Sequence, residues 1–497
     1  MLIWDNSMEP KTSLEKFWRL IKRYNRYIKV GLITLIALII AMLPNEVFGI
    51  EGLTDIQQRV IAIFLWAACM WIVEAVPAWT TSLLIIVIML LTISDSGISF
   101  LVDGYAKKEL ISYKVIMGTF ANPTVMLFMG GFILALVASK SGIDVSMARA
   151  MLKPFGTRPS VVLFGFMLVT AIFSMFVSNT ATAAMMLTSL APVLRQLPHT
   201  EKGTAALALA IPIGANIGGL ATPIGTPPNG IALQYINDVD GLNLGVDFGE
   251  WMMVMTPVML TILILSWVLL RFMFPFTAKK VSMHIIGGAK KDWRTYVIYG
   301  TLAVTILLWM FEKWTGINSY VVALFPIGVF AITRIIKSSD LKDIDWACLW
   351  MVAGGFALGE GMSKTGLATA LVNTIPFDSW PALLVMIGGG LICWLLSQFI
   401  SNSAATALMV PIMVAVGTGM GPALGAYGGV GTLLVGVAMS ASFAMSLPIS
   451  TPPNAIAYST GLIKTSQMFK AGIIIGIISL VLGYFVIVFV GRTGFFG

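Results

Sequence analysis

Long apolar runs, interrupted by a few short polar phrases, dominate this chain. Runs near 28–45, 56–76, 79–94, 122–139, 252–276, 294–311, 318–336, 345–363 and 468–491 have the length and character of membrane spans. Segments 203–235 and 425–461 are longer than a bilayer requires, and each contains Thr-Pro-Pro-Asn. A proline pair removes two backbone donors and disfavours helix at the residue before it, so each segment is predicted to be one span broken into two half-helices. Segments 158–197 and 380–415 each carry a Ser-Asn motif near the middle and are too long for one span and too short for two. They predict re-entrant hairpins with the motif at the tip, because non-helical backbone at membrane depth is tolerated only where protein or a wet cavity surrounds it. The fold class read from this pattern is an all-α polytopic membrane protein of eleven transmembrane helices plus two re-entrant hairpins.

The polar phrase is written twice. Ser178-Asn179-Thr180 is followed by Gly225-Thr226-Pro227-Pro228-Asn229, and Ser401-Asn402-Ser403 by Ser450-Thr451-Pro452-Pro453-Asn454. The distance from Asn to Thr is 47 positions in the first copy and 49 in the second. Gly130-Gly131-Phe132 with Lys140-Ser141-Gly142 recurs as Gly354-Gly355-Phe356 with Lys364-Thr365-Gly366, at an offset of 224; the Ser-Asn motifs repeat at 223 and the proline motifs at 225. Near-constant offsets divide the chain into a segment 1–55 holding the first span, a first repeat 56–276, a linker 277–293 and a second repeat 294–497. Five spans per repeat is an odd number, so the repeats insert with opposite topology, the plan of secondary transporters.

Composition agrees. The chain is 58% hydrophobic and 11% charged, with a mean hydropathy of +0.90, where soluble domains carry about 25% charge. The net charge of +8 reads as cytoplasmic loops facing anionic lipid, not as a nucleic-acid surface. Residues 1–29 hold seven Lys/Arg, 140–158 holds Lys140, Arg149, Lys153 and Arg158, and 277–294 holds five more, whereas 236–250 holds four acids and no Lys or Arg. The positive-inside bias then places the N-terminus in the cytoplasm, the C-terminus outside, the first hairpin opening inward and the second outward. The basic N-terminal segment lacks a cleavage pattern, so the first span is expected to stay as an anchor. Cys69, Cys348 and Cys393 read as small buried hydrophobes in helices; His199 and His284 fall in loops and suggest no metal cluster.

Each hairpin tip and each proline break would expose N–H groups at a half-helix N-terminus, which favour anions, beside carbonyls and hydroxyls suited to a hard cation. Asn179 and Asn402 bring amides; Ser178, Thr180, Ser401 and Ser403 bring hydroxyls. Two such tips form a pseudo-symmetric pocket with two anion-favouring poles, matched to a small molecule with two carboxylates, whose charge coupling cations would offset. Ser174 and Ser397 lie four residues before Ser178 and Ser401, on the same helix face. The competing reading is packing, with hydroxyls bonded only to their own helix. It leaves the asparagines and proline pairs at matched positions unexplained. Glu74, Glu360, Lys140 and Lys364 sit toward span ends, where snorkelling or capping is expected, with a proton relay through either Glu as the alternative.

The stretches FVSNTATAAMML, ATPIGTPPNGIA, ISNSAATALMVP and LPISTPPNAIAY resemble the divalent anion/sodium symporter family, the group of bacterial INDY-type and animal Na⁺-dicarboxylate transporters. The resemblance covers essentially all the chain after residue 27. It implies that Ser178, Asn179 and Thr180, with Ser401, Asn402 and Ser403, bind the substrate carboxylates, and that Thr226 and Thr451 complete the pocket. It implies one Na⁺ site at Ser174, Ser178, Asn179 and the Gly225 carbonyl, and another at Ser397, Asn402 and a carbonyl near Ser450. It further implies a homodimer working as an elevator in the cell membrane, with no other cofactor. Ser403 replaces the second signature's Thr, Ser397 stands where Thr is common, and Ser450 faces Gly225 across the repeats. The family holds both Na⁺ symporters and Na⁺-independent dicarboxylate exchangers, including 2-oxoglutarate carriers, and the residues leave both open. A membrane-embedded enzyme would need a cluster of His, Asp, Glu or Cys at membrane depth, which the pattern lacks.

Overall fold

The computed structural model describes residues 13–195, 197, 202–238, 241–281, 288–289, 292–374, 376 and 379–496, with side chains from residue 26 onward. Among these residues every regular element is a helix, apart from one isolated bridge between Ser94 and Ile111. Six stretches are long and apolar enough to cross a membrane: Asp55–Val73, Tyr113–Ser141, Gly203–Ala221, Phe248–Met273, Asn402–Tyr427 and Thr465–Gly491. His199 and His284 lie outside the described residues.

The two Ser-Asn segments form helical hairpins. Pro159–Ser174 and Asn179–Leu194 make the first; Ala382–Ser397 and Asn402–Met420 make the second. In both, a Ser sets the turn. Ser178 and Ser401 are N-caps whose hydroxyls accept from the N–H groups of Ala181 and Ala404, at 3.3 and 3.2 Å. The helix breaks also fall where the prolines put them. Gly203–Gly218 ends, an irregular stretch follows, and Pro227–Ile236 begins with both prolines in its first turn. Gly429–Ser442 and Pro452–Ser459 repeat the arrangement. Proline is tolerated there because the first N–H groups of a helix have no intrahelical acceptor.

Three details depart from the sequence pattern. The expected span 318–336 is two short helices, Ser319–Val322 and Phe325–Ile332. Pro326 sits in the first turn of the second, and the chain reverses at Arg334, which takes φ +53°. The returning arm of the second hairpin runs past 415 to Met420 and continues as 3₁₀ turns to Tyr427. Cys348 and Cys393 are buried, but Cys69 is exposed on the outer side of its helix.

Glycines let the site-bearing helices approach each other. In Gly203–Gly218, a Cβ on Gly214 would lie 2.8 Å from the Met167 carbonyl oxygen, and one on Gly218 would lie 2.4 Å from that of Ala171. This pair, four residues apart, seats the broken helix directly on the outgoing arm of the first hairpin. Nearly all of Gly203–Gly218 is buried, whereas Thr465–Gly491 turns Ile474, Ile477, Val481, Phe485 and Phe489 outward. Lys140 reaches Asp340 at 2.5 Å, and that contact holds the Asp340 carboxyl below the usual carboxylate range.

Gly218→Ala is expected to lower the midpoint of thermal denaturation in detergent, because the added methyl meets backbone and costs about 1–3 kcal/mol. Gly388→Ala, where nothing lies within 4 Å, is the control and is expected to melt at or above the parent. Equal melting of the two variants would contradict this account of the packing.

Candidate functional site

The breaks are irregular backbone inside an apolar body, so their carbonyls need donors. The Asn that closes each Thr-Pro-Pro-Asn motif supplies them. Asn229 Nδ2 lies within hydrogen-bond reach of the carbonyls of Gly219, Leu220 and Thr222, at 2.9, 3.2 and 2.8 Å. Asn454 Nδ2 donates to those of Met445 and Leu447, at 2.8 and 3.0 Å. Trp251 Nε1 adds a bond to the Leu220 carbonyl. The motif thus carries its own instructions: prolines that need no acceptor, and an amide that ties up the carbonyls of the break.

Each break is also pinned to its hairpin by one hydroxyl. In the first copy Thr222 Oγ1 donates to the Met175 carbonyl and accepts from the Gly225 N–H at 3.0 Å. In the second copy position 447 is Leu, and the hydroxyl comes from the other end of the same turn. Ser450 Oγ lies 3.0 Å from the Gln398 carbonyl and accepts from the Leu447 N–H at 3.0 Å. The Gln398 side chain adds a clamp absent from the first copy, its Oε1 accepting from the Ser446 N–H at 3.2 Å. The mismatch between Gly225 and Ser450 is therefore a relocated hydroxyl with the same task.

Both tips and both breaks converge on one cavity of about 500 Å³. Its walls include Ser178, Asn179, Thr180, Gly225 and Thr226 from the first copy and Ser401, Asn402, Ser403, Ser450 and Thr451 from the second. Ser174 and Ser397 lie behind the tips, fully buried. At each tip the leading N–H groups, of Asn179 and Thr180 and of Asn402 and Ser403, have no intrahelical carbonyl to reach. The positive ends of two helix dipoles thus meet the cavity.

Most hydroxyls in the helices bond to the carbonyl four residues back, as Thr188, Ser266, Thr305 and Ser440 do. The hydroxyls behind the tips do not. Ser174 Oγ lies 2.6 Å from Asn179 Oδ1 and 2.8 Å from the Ala215 carbonyl, two acceptors for one proton. A Cβ on Gly219 would stand 2.8 Å from Asn179 Oδ1 and 3.0 Å from the Gly225 carbonyl oxygen, so that glycine keeps an oxygen-lined recess open. In the second copy Ser397 Oγ and Asn402 Oδ1 are buried and, among the described residues, make no hydrogen bond. The first place is rich in oxygen acceptors and short of donors, and the second holds two buried oxygens without partners, an arrangement that suits a hard monovalent cation.

Sequence patterning missed several wall residues. Glu74 takes φ +46° at the end of Asp55–Val73 and borders the cavity, as do Asp345, Cys348 and Met351. Asp345 was detectable as an N-cap, accepting from the Cys348 N–H. Asn216 lies within an apolar helix and is 1% exposed; a lone amide in such a run was the available signal.

A family model described as citrate transporter matches residues 68–427. The chain belongs to this family. Its members are transporters, not enzymes. The sodium-dependent dicarboxylate transporter SdcS of Staphylococcus saprophyticus is 28% identical, over 94% of this chain and 92% of that protein. SdcS of Staphylococcus aureus is likewise 28% identical, over 87% and 85%. The resemblance to divalent anion/sodium symporters is borne out by these relatives. The YdaH transporter of Alcanivorax borkumensis shares the fold, with a TM-score of 0.57 and 14% identity over 84% of this chain and 99% of that one. MtrF of Neisseria gonorrhoeae does so with a TM-score of 0.52 and 13% identity over 83% and 94%.

Ser450→Ala is expected to lower the melting midpoint by the loss of a buried hydrogen-bonded hydroxyl, about 1–3 kcal/mol. The double variant Leu447→Thr/Ser450→Gly rebuilds the first copy's arrangement and is expected to recover most of that loss. A double variant no more stable than Ser450→Ala would show that the two hydroxyls are not equivalent.

Proposed function

We propose that this protein is a secondary active transporter of C4-class dicarboxylates, such as succinate, malate and fumarate, across the cell membrane, coupled to Na⁺. The observation that carries the reading is the convergence of two hairpin tips and two proline-led half-helices, more than 200 residues apart in sequence, on one cavity. Two helix N-termini supply two anion-favouring poles, with Ser178, Asn179 and Thr180 at one and Ser401, Asn402 and Ser403 at the other. Thr226 and Thr451 close the pocket between them. The names of the Staphylococcus relatives support both the dicarboxylate and the sodium.

The oxygen-rich places behind the tips are the proposed cation sites. The first is formed by Ser174, Ser178, Asn179 and the Gly225 carbonyl, and the second by Ser397, Asn402 and a carbonyl near Ser450. Cations bound there would offset the substrate charge, which a low-dielectric pocket tolerates poorly. The repeats 56–276 and 294–497, joined by the linker 277–293 and preceded by segment 1–55, would insert with opposite topology, N-terminus in the cytoplasm and C-terminus outside. In this scheme the hairpins are re-entrant from opposite faces, and eleven spans surround them. Two protomers form a homodimer in which the site-bearing part of each moves as an elevator past a fixed part.

The test is uptake of labelled succinate into proteoliposomes. Empty vesicles with an inward Na⁺ gradient are expected to accumulate succinate, and vesicles with K⁺ in its place are not. Uptake that requires a dicarboxylate inside and ignores Na⁺ would replace symport with exchange. Asn179→Ala and Asn402→Ala are each expected to reduce uptake at least about a hundredfold, from loss of charge-assisted bonds at either pole, while the protein is still purified folded. Normal uptake by both variants would remove the site assignment.

A further inference from the structure

One wall residue connects the two copies. Asn216, on the broken helix of the first copy, donates from Nδ2 to Thr451 Oγ1 at 3.1 Å and to Asn454 Oδ1 at 3.3 Å, both in the second. The orientation of its amide is fixed from outside. Asn454 spends its own NH₂ on the carbonyls of Met445 and Leu447, so its oxygen must face Asn216, and only the Asn216 NH₂ can answer it. At the spacing of 225 that relates the proline motifs, position 216 corresponds to Ala441, so the second copy has no amide to return the contact.

The consequence falls on Thr451. Its hydroxyl oxygen already accepts the Asn454 N–H that it caps, at 3.3 Å. The Asn216 amide occupies the second lone pair, and a hydroxyl has only two. Thr451 can then interact further only by donating its proton. It lines the cavity, and among the described residues that proton has no acceptor. At the opposite break the Thr226 hydroxyl makes no capping bond, and among the described residues no amide donates to it.

We propose that Asn216 is a positioning residue that converts Thr451 into an obligate hydrogen-bond donor toward a substrate carboxylate, making one pole of the pocket a more selective anion receptor than the other. The inference rests on the reading of Thr451 as a substrate contact. An anion needs donors, and a threonine free to rotate presents a lone pair as readily as a proton. The amide removes that choice before the substrate arrives, and it does so from the opposite repeat.

The experiment is a double-mutant cycle on succinate uptake at saturating Na⁺, reading KM and kcat separately. Asn216→Ala and Thr451→Ala are each expected to raise KM about tenfold, the effect of one hydrogen bond to a charged group, with far less change in kcat. The double variant is expected to be no worse than Thr451→Ala alone. Asn216→Asp keeps the shape but presents only acceptors to Thr451; it is expected to raise KM more than Asn216→Ala, and by a smaller factor in the Thr451→Ala background. This second variant decides the question if Asn216→Ala does not fold. Multiplying effects in the double variant, or an unchanged KM in Asn216→Ala and Asn216→Asp while Thr451→Ala is impaired, overturns this inference alone. A normal KM in Thr451→Ala overturns it together with the assignment of Thr451 to the substrate pocket.

Discussion

Irregular backbone inside an apolar body must find its hydrogen bonds within the protein, and that constraint shapes everything around the cavity. Two helices are interrupted, and each interruption strands a group of carbonyls where water cannot serve them. The amides of Asn229 and Asn454 meet those carbonyls, and the adjacent prolines remove donors that would otherwise be stranded as well. Once the breaks are held, the half-helices after them can point their N-termini at a common centre. The hairpins, fastened to the breaks through Thr222 and Ser450, bring two more. The pocket is the sum of four helix starts, each kept in place by bonds within the protein.

Packing and chemistry are coupled through small residues. Gly214 and Gly218 bring the broken helix onto the first hairpin closely enough for Ser174 to reach the Ala215 carbonyl. Gly219 leaves the recess beside Asn179 open. The residue at the matching position of the second copy is Ala444, buried like its counterpart. The two places are therefore related but differently furnished: one is crowded with acceptors around the Ser174 hydroxyl, the other holds a buried hydroxyl and a buried amide oxygen with no hydrogen bond among the described residues.

Much of this architecture was legible in the sequence because it is expensive to write by accident. Paired prolines and Ser-Asn motifs inside apolar runs reported the breaks and the tips, and the tips turned at Ser178 and Ser401 as expected. The stretch 318–336 misled, since its apolar run continues across the break between Val322 and Phe325, and the helix stops at Ile332 ahead of the left-handed Arg334, features that hydropathy does not register. Cys69 misled because a residue facing outward from a bundle in lipid is as apolar as one facing in. Asn216 and Gln398 escaped for a different reason. Neither has a polar mate in the other copy, where Ala441 and Met175 stand, so reading by repetition passed over them.

The relocated hydroxyl of the turn bears on how such a molecule changes over time. Aligned by number, Gly225 answers to Ser450 and Thr222 to Leu447; matched by chemistry, Thr222 answers to Ser450. What the two halves share is an oxygen atom at a point in space, and the residue that delivers it is free to migrate along the turn. Substitution histories of the two halves, compared column by column, would score two radical replacements where the geometry has kept one contact intact.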